Sequence, residues 1–172
     1  MRKLHPLALA VSCAAALFTA DGAQAATVTV TMHEATVGGL GKDLGTIAFE
    51  DTPQGMAITP RLMGLQEGLH GFHVDEFPSC AAKKKNGVPV PALAAGNPLG
   101  ADKPGKNHPG DLPGLYVHYD GAAYTPTVAP NMKTADLADH AIVIDALGPA
   151  YRDAPKPVGG IILRVACGVV MR

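Results

Sequence analysis

His70-Gly71-Phe72-His73-Val74-Asp75-Glu76-Phe77-Pro78-Ser79-Cys80 is the stretch on which the reading of this chain turns. It grows out of a short run, Leu69 to Val74, in which apolar residues are interleaved with histidine and glycine, the pattern of a strand. Upstream, Thr27 to Met32 alternates threonine with apolar residues, and Gly45 to Phe49 and Met56 to Leu62 are further short apolar strands. Downstream, Leu115 to Tyr119 runs into Asp120-Gly121, a strong hairpin signal, followed by Ala141 to Ile144 and Ile161 to Val170. No stretch has the period of an amphipathic helix. Short strands punctuated by Gly, Pro and Asp-Gly predict an all-β sandwich or barrel.

Two segments break the pattern. Ala81 to Pro113 is rich in Gly, Pro, Asn and Lys and has little periodicity, and Lys83-Lys84-Lys85 within it reads as an exposed charge run. Leu147 to Pro157, holding Pro149, Pro155 and Pro157, separates the last two strands. A loop as long as the first is usually functional or disordered in a compact domain. There is no internal repeat and no sign of a second domain.

The beginning of the chain reads as a secretory leader over residues 1–25. Arg2 and Lys3 are basic, Leu7 to Ala20 is apolar, and Ala23-Gln24-Ala25 is a small-residue cleavage site. The apolar run is shorter than the roughly 20 residues that span a bilayer, and the residues before Cys13 fit a lipoprotein signal poorly. The expectation is a periplasmic or secreted domain over 26–172 with no membrane anchor. Removing Arg2, Lys3 and Asp21 moves the formal net charge from -1 to -2, so no basic field for nucleic acid or anionic lipid is indicated. Two cysteines then remain, Cys80 and Cys167, in a compartment where disulfides persist, and one intramolecular bridge is the simplest expectation.

The landmarks Gly71-Phe72-His73, Ser79-Cys80, Gly110-Asp111-Leu112-Pro113, Asp120-Gly121, Pro155-Lys156-Pro157-Val158-Gly159-Gly160 and Arg164-Val165-Ala166-Cys167-Gly168-Val169 resemble the secreted bacterial Cu/Zn superoxide dismutases. The resemblance runs from Thr27 through Gly168. It implies an eight-stranded Greek-key β-barrel, a relative of the immunoglobulin-like sandwich, with one long loop folded over the metals and a second, electrostatic loop beside the copper. The two irregular segments stand where those loops belong.

Carried over position by position, the resemblance places His73 at the first copper ligand and Asp75 where the second histidine belongs. Asn97 aligns with the histidine that bridges copper and zinc. His108 and Asp111 match the last two zinc ligands, while the intermediate zinc histidine has no counterpart, Asn107 being the nearest polar residue. Asp145 replaces the last copper histidine, so one of four copper histidines survives. Where relatives carry an aspartate that bonds ligands of both metals, this chain reads Leu147-Gly148-Pro149-Ala150. Arg164 matches the arginine that guides superoxide.

These replacements bear directly on the chemistry. Imidazole suits copper in both oxidation states, whereas carboxylate is a harder ligand. The reading is therefore of a family member with little or no dismutase activity. His73, Asp75 and Asp145 would converge on the former copper position. That set suits a single Zn, Mn, Fe or Cu ion, or else a metal-free remnant in which Arg164 pairs one of the acids. Buried like charges need a cation or a proton to relieve them. Zinc held by His108 and Asp111 alone would be weak, since structural zinc takes four protein ligands.

Two classes of function stay open. One is a metal protein or enzyme acting on superoxide or peroxide. The other is a pseudoenzyme that binds a periplasmic protein, haem or metal, as a monomer or homodimer. Bland roles are expected of the other histidines: His70 packed and bonded to backbone, His118 exposed beside its turn, His140 structural, and His33 near the end of the first strand. Tyr116, Tyr119 and Tyr124 are read as a packed face or dimer contact.

Overall fold

The computed structural model describes residues 27–102, 108–146, 148 and 163–171. The expected leader, Asn107 and nearly all of Leu147 to Pro157 lie outside them. Strands dominate: β1 (Thr27–Thr36), β2 (Gly39–Thr52), β3 (Gly55–Met63), β4 (Gly68–His70), β5 (Phe72–Asp75), β6 (Lys83–Lys85), β7 (Val88–Val90), β8 (Leu115–Val117), β9 (Ala122–Ala123), β10 (Thr127–Ala129), β11 (His140–Asp145) and β12 (Arg164–Val170). Single 3-10 turns lie at Leu93–Ala95 and Thr134–Leu137.

Eight strands form one antiparallel sheet in the order β10-β3-β2-β1-β12-β11-β5, with β9 also paired to β3. The chain makes a β1-β2-β3 meander, crosses to β5 at the far edge, returns to β9 and β10 beside β3, and crosses again to β11 and β12. This is the Greek-key all-β fold that the landmarks imply. Pairing of the first strand with the last closes the middle of the sheet, and β1 bends over register shifts at Met32/His33 and His33/Ala35.

The strands depart from the sequence reading in three places. The run Leu69 to Val74 divides at Gly71 into β4, which pairs with β8, and β5, which pairs with β11. The lysine run is no loose excursion: Lys83–Lys85 pairs with Val88–Val90 around Asn86-Gly87, whose φ values of 52° and 81° close a two-residue hairpin. The strand β9 carries no alternation to betray it, because Ala122 and Ala123 are both buried, and β10 is only three residues long.

The main core lies on one face of the sheet and includes Val30, Ile47, Phe49, Ile58, Phe72, Val74, Ile142 and Ile144. A smaller cluster of Ala35, Cys80, Ala92, Ala95, Ala141, Val143 and Cys167 lies on the other face, beneath the long loop. Every residue of β11 after His140 is therefore buried, on both faces. The expected bridge joins Cys80 to Cys167, with the two Cα atoms 5.7 Å apart, and fastens the start of the long loop to β12.

Candidate functional site

In β5, Phe72 and Val74 enter the main core, so the two-residue period of a strand turns His73 and Asp75 to the opposite face, under the long loop. This strand is the edge of the sheet, and the loop covers it. Val74 N donates to Gly110 O at 2.8 Å, Leu99 N to Val74 O at 2.9 Å, Glu76 N to Asn97 O at 3.0 Å and Leu112 N to Phe72 O at 3.0 Å. Bridge pairings set Asp111 opposite His73 and Pro98 opposite Asp75. Gly110 makes the approach possible, since a Cβ there would lie 2.4 Å from both Leu99 N and Val74 O.

His73 and Asp145 meet because β11 pairs with β5 and Asp145 N donates to Gly71 O at 2.9 Å. His73 Nε2 lies 3.0 Å from Asp145 Oδ2. Its Nδ1 lies 3.4 Å from Asp111 Oδ1, within charge-pairing reach but outside good hydrogen-bond geometry. Asp111 Oδ2 accepts from His108 N at 3.0 Å and lies 3.5 Å from His108 Nδ1. Burial pulls the His73 imidazole toward neutrality, but its contacts with Asp111 and Asp145 and the surrounding negative charge outweigh that and lift its pKa to about 9. At neutral pH it is an imidazolium. Burial also pushes the Asp111 carboxyl up, yet His73 and the His108 N–H hold it below the usual carboxylate range.

Asp75 follows a different course. It has no exposed surface, and Arg164 Nη2 lies 2.9 Å from its Oδ2. The contact is one of charge: neither Asp75 oxygen has a hydrogen-bond partner among the described residues, and the guanidinium aims its N–H groups at Ala92 O and Gly96 O, both at 2.6 Å. Burial pushes the Asp75 carboxyl up to about 6, with Arg164 and His73 opposing.

The structure thus joins His73, Asp145, Asp111 and His108 in one chain of contacts and hands Asp75 to Arg164. Asn97 is exposed, and it contributes backbone: its N–H donates to Glu76 Oε2 at 3.1 Å. Among the described residues no group of three His, Cys, Asp or Glu side chains is arranged to hold a metal ion. His70 and His140 are bonded to backbone, His70 to Asp145 O and Gln66 O, and His140 Nδ1 to Asp75 O and Glu76 O. His33 is half-buried opposite Cys167 across β1 and β12. His118 is more engaged than its turn suggested, stacked on Tyr124 at 4.0 Å and edge-on to Tyr116 at 4.9 Å, while Tyr116, Tyr119 and Tyr124 remain exposed. The partners that sequence reasoning missed are the carbonyls of Ala92 and Gly96, and a backbone acceptor leaves no residue-type signal.

The copper/zinc superoxide dismutase family model matches residues 44–170. "Superoxide dismutase [Cu-Zn] 1" of Salmonella typhimurium is 43% identical over 166 residues, covering 91% of this chain and 94% of that protein. The structure of the Cu/Zn superoxide dismutase from Brucella abortus superposes with a TM-score of 0.75 at 39% identity, over 84% of this chain and 99% of that one. The solution structure of the monomeric copper, zinc enzyme from Salmonella enterica gives 0.73 at 39% identity with the same coverage.

Proposed function

The chain belongs to the copper/zinc superoxide dismutase family, and from that premise we propose that it is an exported member whose copper position holds a cluster of ion pairs in place of a redox metal. Export is supported by the leader-like start and by a disulfide, which persists in oxidising compartments. The observation that carries the reading is the placement of His73. It is the one imidazole left at the copper position, and both its ring nitrogens face carboxylate oxygens, at 3.0 and 3.4 Å. A metal binding through Nε2 would have to displace the hydrogen bond to Asp145.

The residues present do not fit copper. One imidazolium and two carboxylates, one of them against a guanidinium, are a hard and already compensated donor set. Nor do His108 and Asp111 supply the four ligands of a structural zinc site. Imidazole, carboxylate and guanidinium do not cycle between oxidation states, so superoxide turnover follows metal occupancy. His73 holds its proton, Asp145 and Asp111 hold the imidazolium, and Arg164 answers the charge of Asp75.

A second reading, a rebuilt site for one Zn, Mn or Fe ion, is favoured by a single observation: both oxygens of Asp75 are buried and accept no hydrogen bond, leaving lone pairs that a cation would take. Elemental analysis of the exported protein, before and after loading with Cu, Zn, Mn and Fe, separates the readings when superoxide turnover is assayed on the same samples. The first reading expects metal well below one equivalent and turnover at the background rate. Stoichiometric copper with fast turnover would overturn it, and tight Zn, Mn or Fe lost in Asp75→Ala and Asp145→Ala would establish the second.

A further inference from the structure

The first strand sets a histidine beside the disulfide. Val30 and Met32 enter the main core, so the two-residue period of β1 turns His33 and Ala35 to the opposite face, where Ala35 packs in one cluster with Cys80 and Cys167. His33 is paired directly with Cys167 of β12, and register shifts in its pairing with β2 flank it on both sides. Side chains directly opposite in an antiparallel pair share a face, with Cβ atoms about 4.5 to 5.5 Å apart. On its other flank the same histidine is paired with Asp43 of β2. Carboxylate, imidazole and sulfur thus stand in a row on three adjacent strands, the order in which a third group orients an imidazole that attends a nucleophile. Beyond Cys167 the row continues to Val143 and then His73, so an apolar side chain separates the disulfide from the former copper position.

We propose that small thiols open the Cys80–Cys167 bridge at Cys80, and that Cys167 leaves as a thiolate stabilised by His33. The two sulfurs are not equivalent. Cys80, at the start of the long loop, is 6% exposed, whereas Cys167, in β12 between β1 and β11, has no exposed surface. An attacking thiolate therefore reaches Cys80. Its sulfur bonds to the Cys80 Sγ, the S–S bond breaks, and the electron pair passes to the Cys167 Sγ. A second thiolate then attacks the added sulfur and releases Cys80 as a thiolate together with a small disulfide. Two thiols are oxidised and the bridge is reduced by two electrons. The leaving sulfur lies among Ala35, Ala141 and Val143, and apolar surroundings disfavour a thiolate. A neighbouring imidazole offsets this by donating a ring N–H and, when protonated, by its charge, and a stabilised thiolate leaves faster. The step does not depend on what occupies the copper position.

Reaction of the intact protein with reduced glutathione tests this, with samples quenched in acid at intervals and the adducts mapped by mass spectrometry. Loss of the bridge should speed up in proportion to glutathione, with the mixed disulfide found on Cys80. His33→Gln should slow the reaction about fivefold or more, and His33→Lys, which restores a donor and a charge, should return it to within about twofold of wild type. In a Cys80→Ser background, Cys167 followed by its ultraviolet thiolate absorbance should ionise at higher pH once His33→Gln is added. A rate independent of glutathione would mean that the bridge opens only on unfolding. That result, an adduct on Cys167, a His33→Gln rate within twofold of wild type, or a lysine variant as slow as the glutamine one would each overturn the proposal, as would equal ionisation of Cys167 with and without His33.

Discussion

His73 sits between Asp145 and Asp111, whose carboxylates favour its cationic form. Its folded-state pKa of about 9 lies above the ordinary 6.5, so the imidazolium stabilises the fold fully below about pH 6.5, and that contribution is lost as pH climbs through 9. At roughly 1.4 kcal/mol per pH unit the loss amounts to about 3 kcal/mol. Asp75 behaves oppositely: its raised pKa of about 6, against 3.8, means that its charge begins to cost stability as pH rises from about 4 to 6. Unfolding by urea between pH 7 and 10 should therefore show a decline in the wild-type protein that is largely absent in His73→Gln, and equal slopes would refute the buried imidazolium. Gly71 leaves room for the pair, since a Cβ there would lie 3.0 Å from His73 Nε2 and 3.1 Å from Asp145 Oδ2. Gly71→Ala should lower the His73 titration midpoint, followed by the ring proton resonances. The residue identities at these positions are plain in the sequence. Which acid meets which cation is not, because Asp75 and Asp145 are alike as residue types and only β5, β11 and β12 decide their neighbours.

The long loop is an element in its own right, stapled at one end by Cys80–Cys167 and zipped to the edge of β5 by backbone hydrogen bonds. With a sequence separation of 87 between the cysteines, loop-closure entropy gives at most about 4 to 5 kcal/mol of stabilisation. Reduction, or Cys80→Ser, should lower the urea midpoint accordingly, and a change below about 1 kcal/mol would show that the unfolded chain gains little freedom. Gly110→Ala would drive a Cβ into Leu99 N and Val74 O, so it should open the loop edge and raise exchange at Leu99 while the main core stays intact. The cysteine pairing was legible because the expected leader leaves two cysteines. The β6–β7 hairpin was less so: its Asn86-Gly87 turn lies inside a run of lysines that reads as an exposed charge run, and the three-residue strands are too short for alternation to show.

Across the whole molecule the fold and the site draw on opposite faces of one sheet. Phe49, Ile47, Phe72, Ile142 and Ile144 fill the main core, and no residue at a metal position lies in it. Stability should therefore be indifferent to metal: the thermal midpoint of the protein should stay within about 1 °C after chelation, and a large drop would mean that a bound ion organises the barrel. Phe49→Ala, by contrast, should cost about 3 to 5 kcal/mol through the cavity it leaves, measured by chemical denaturation. The apolar runs that build this core alternate with a period of two or are continuously apolar, which is why the fold class was readable from the chain.

By itself the sequence determined the all-β class, the family landmarks, the pair of cysteines and the presence of Asp75 and Asp145, because each is a matter of residue type or local period. The tertiary structure alone decided that His73 lies between two carboxylates, that Asp75 faces Arg164, and that the Asn97 backbone meets Glu76. The reason is physical. Charge pairing and burial depend on distances set by sheet register and loop closure, and the acceptors that hold Arg164 are carbonyl groups that every residue carries.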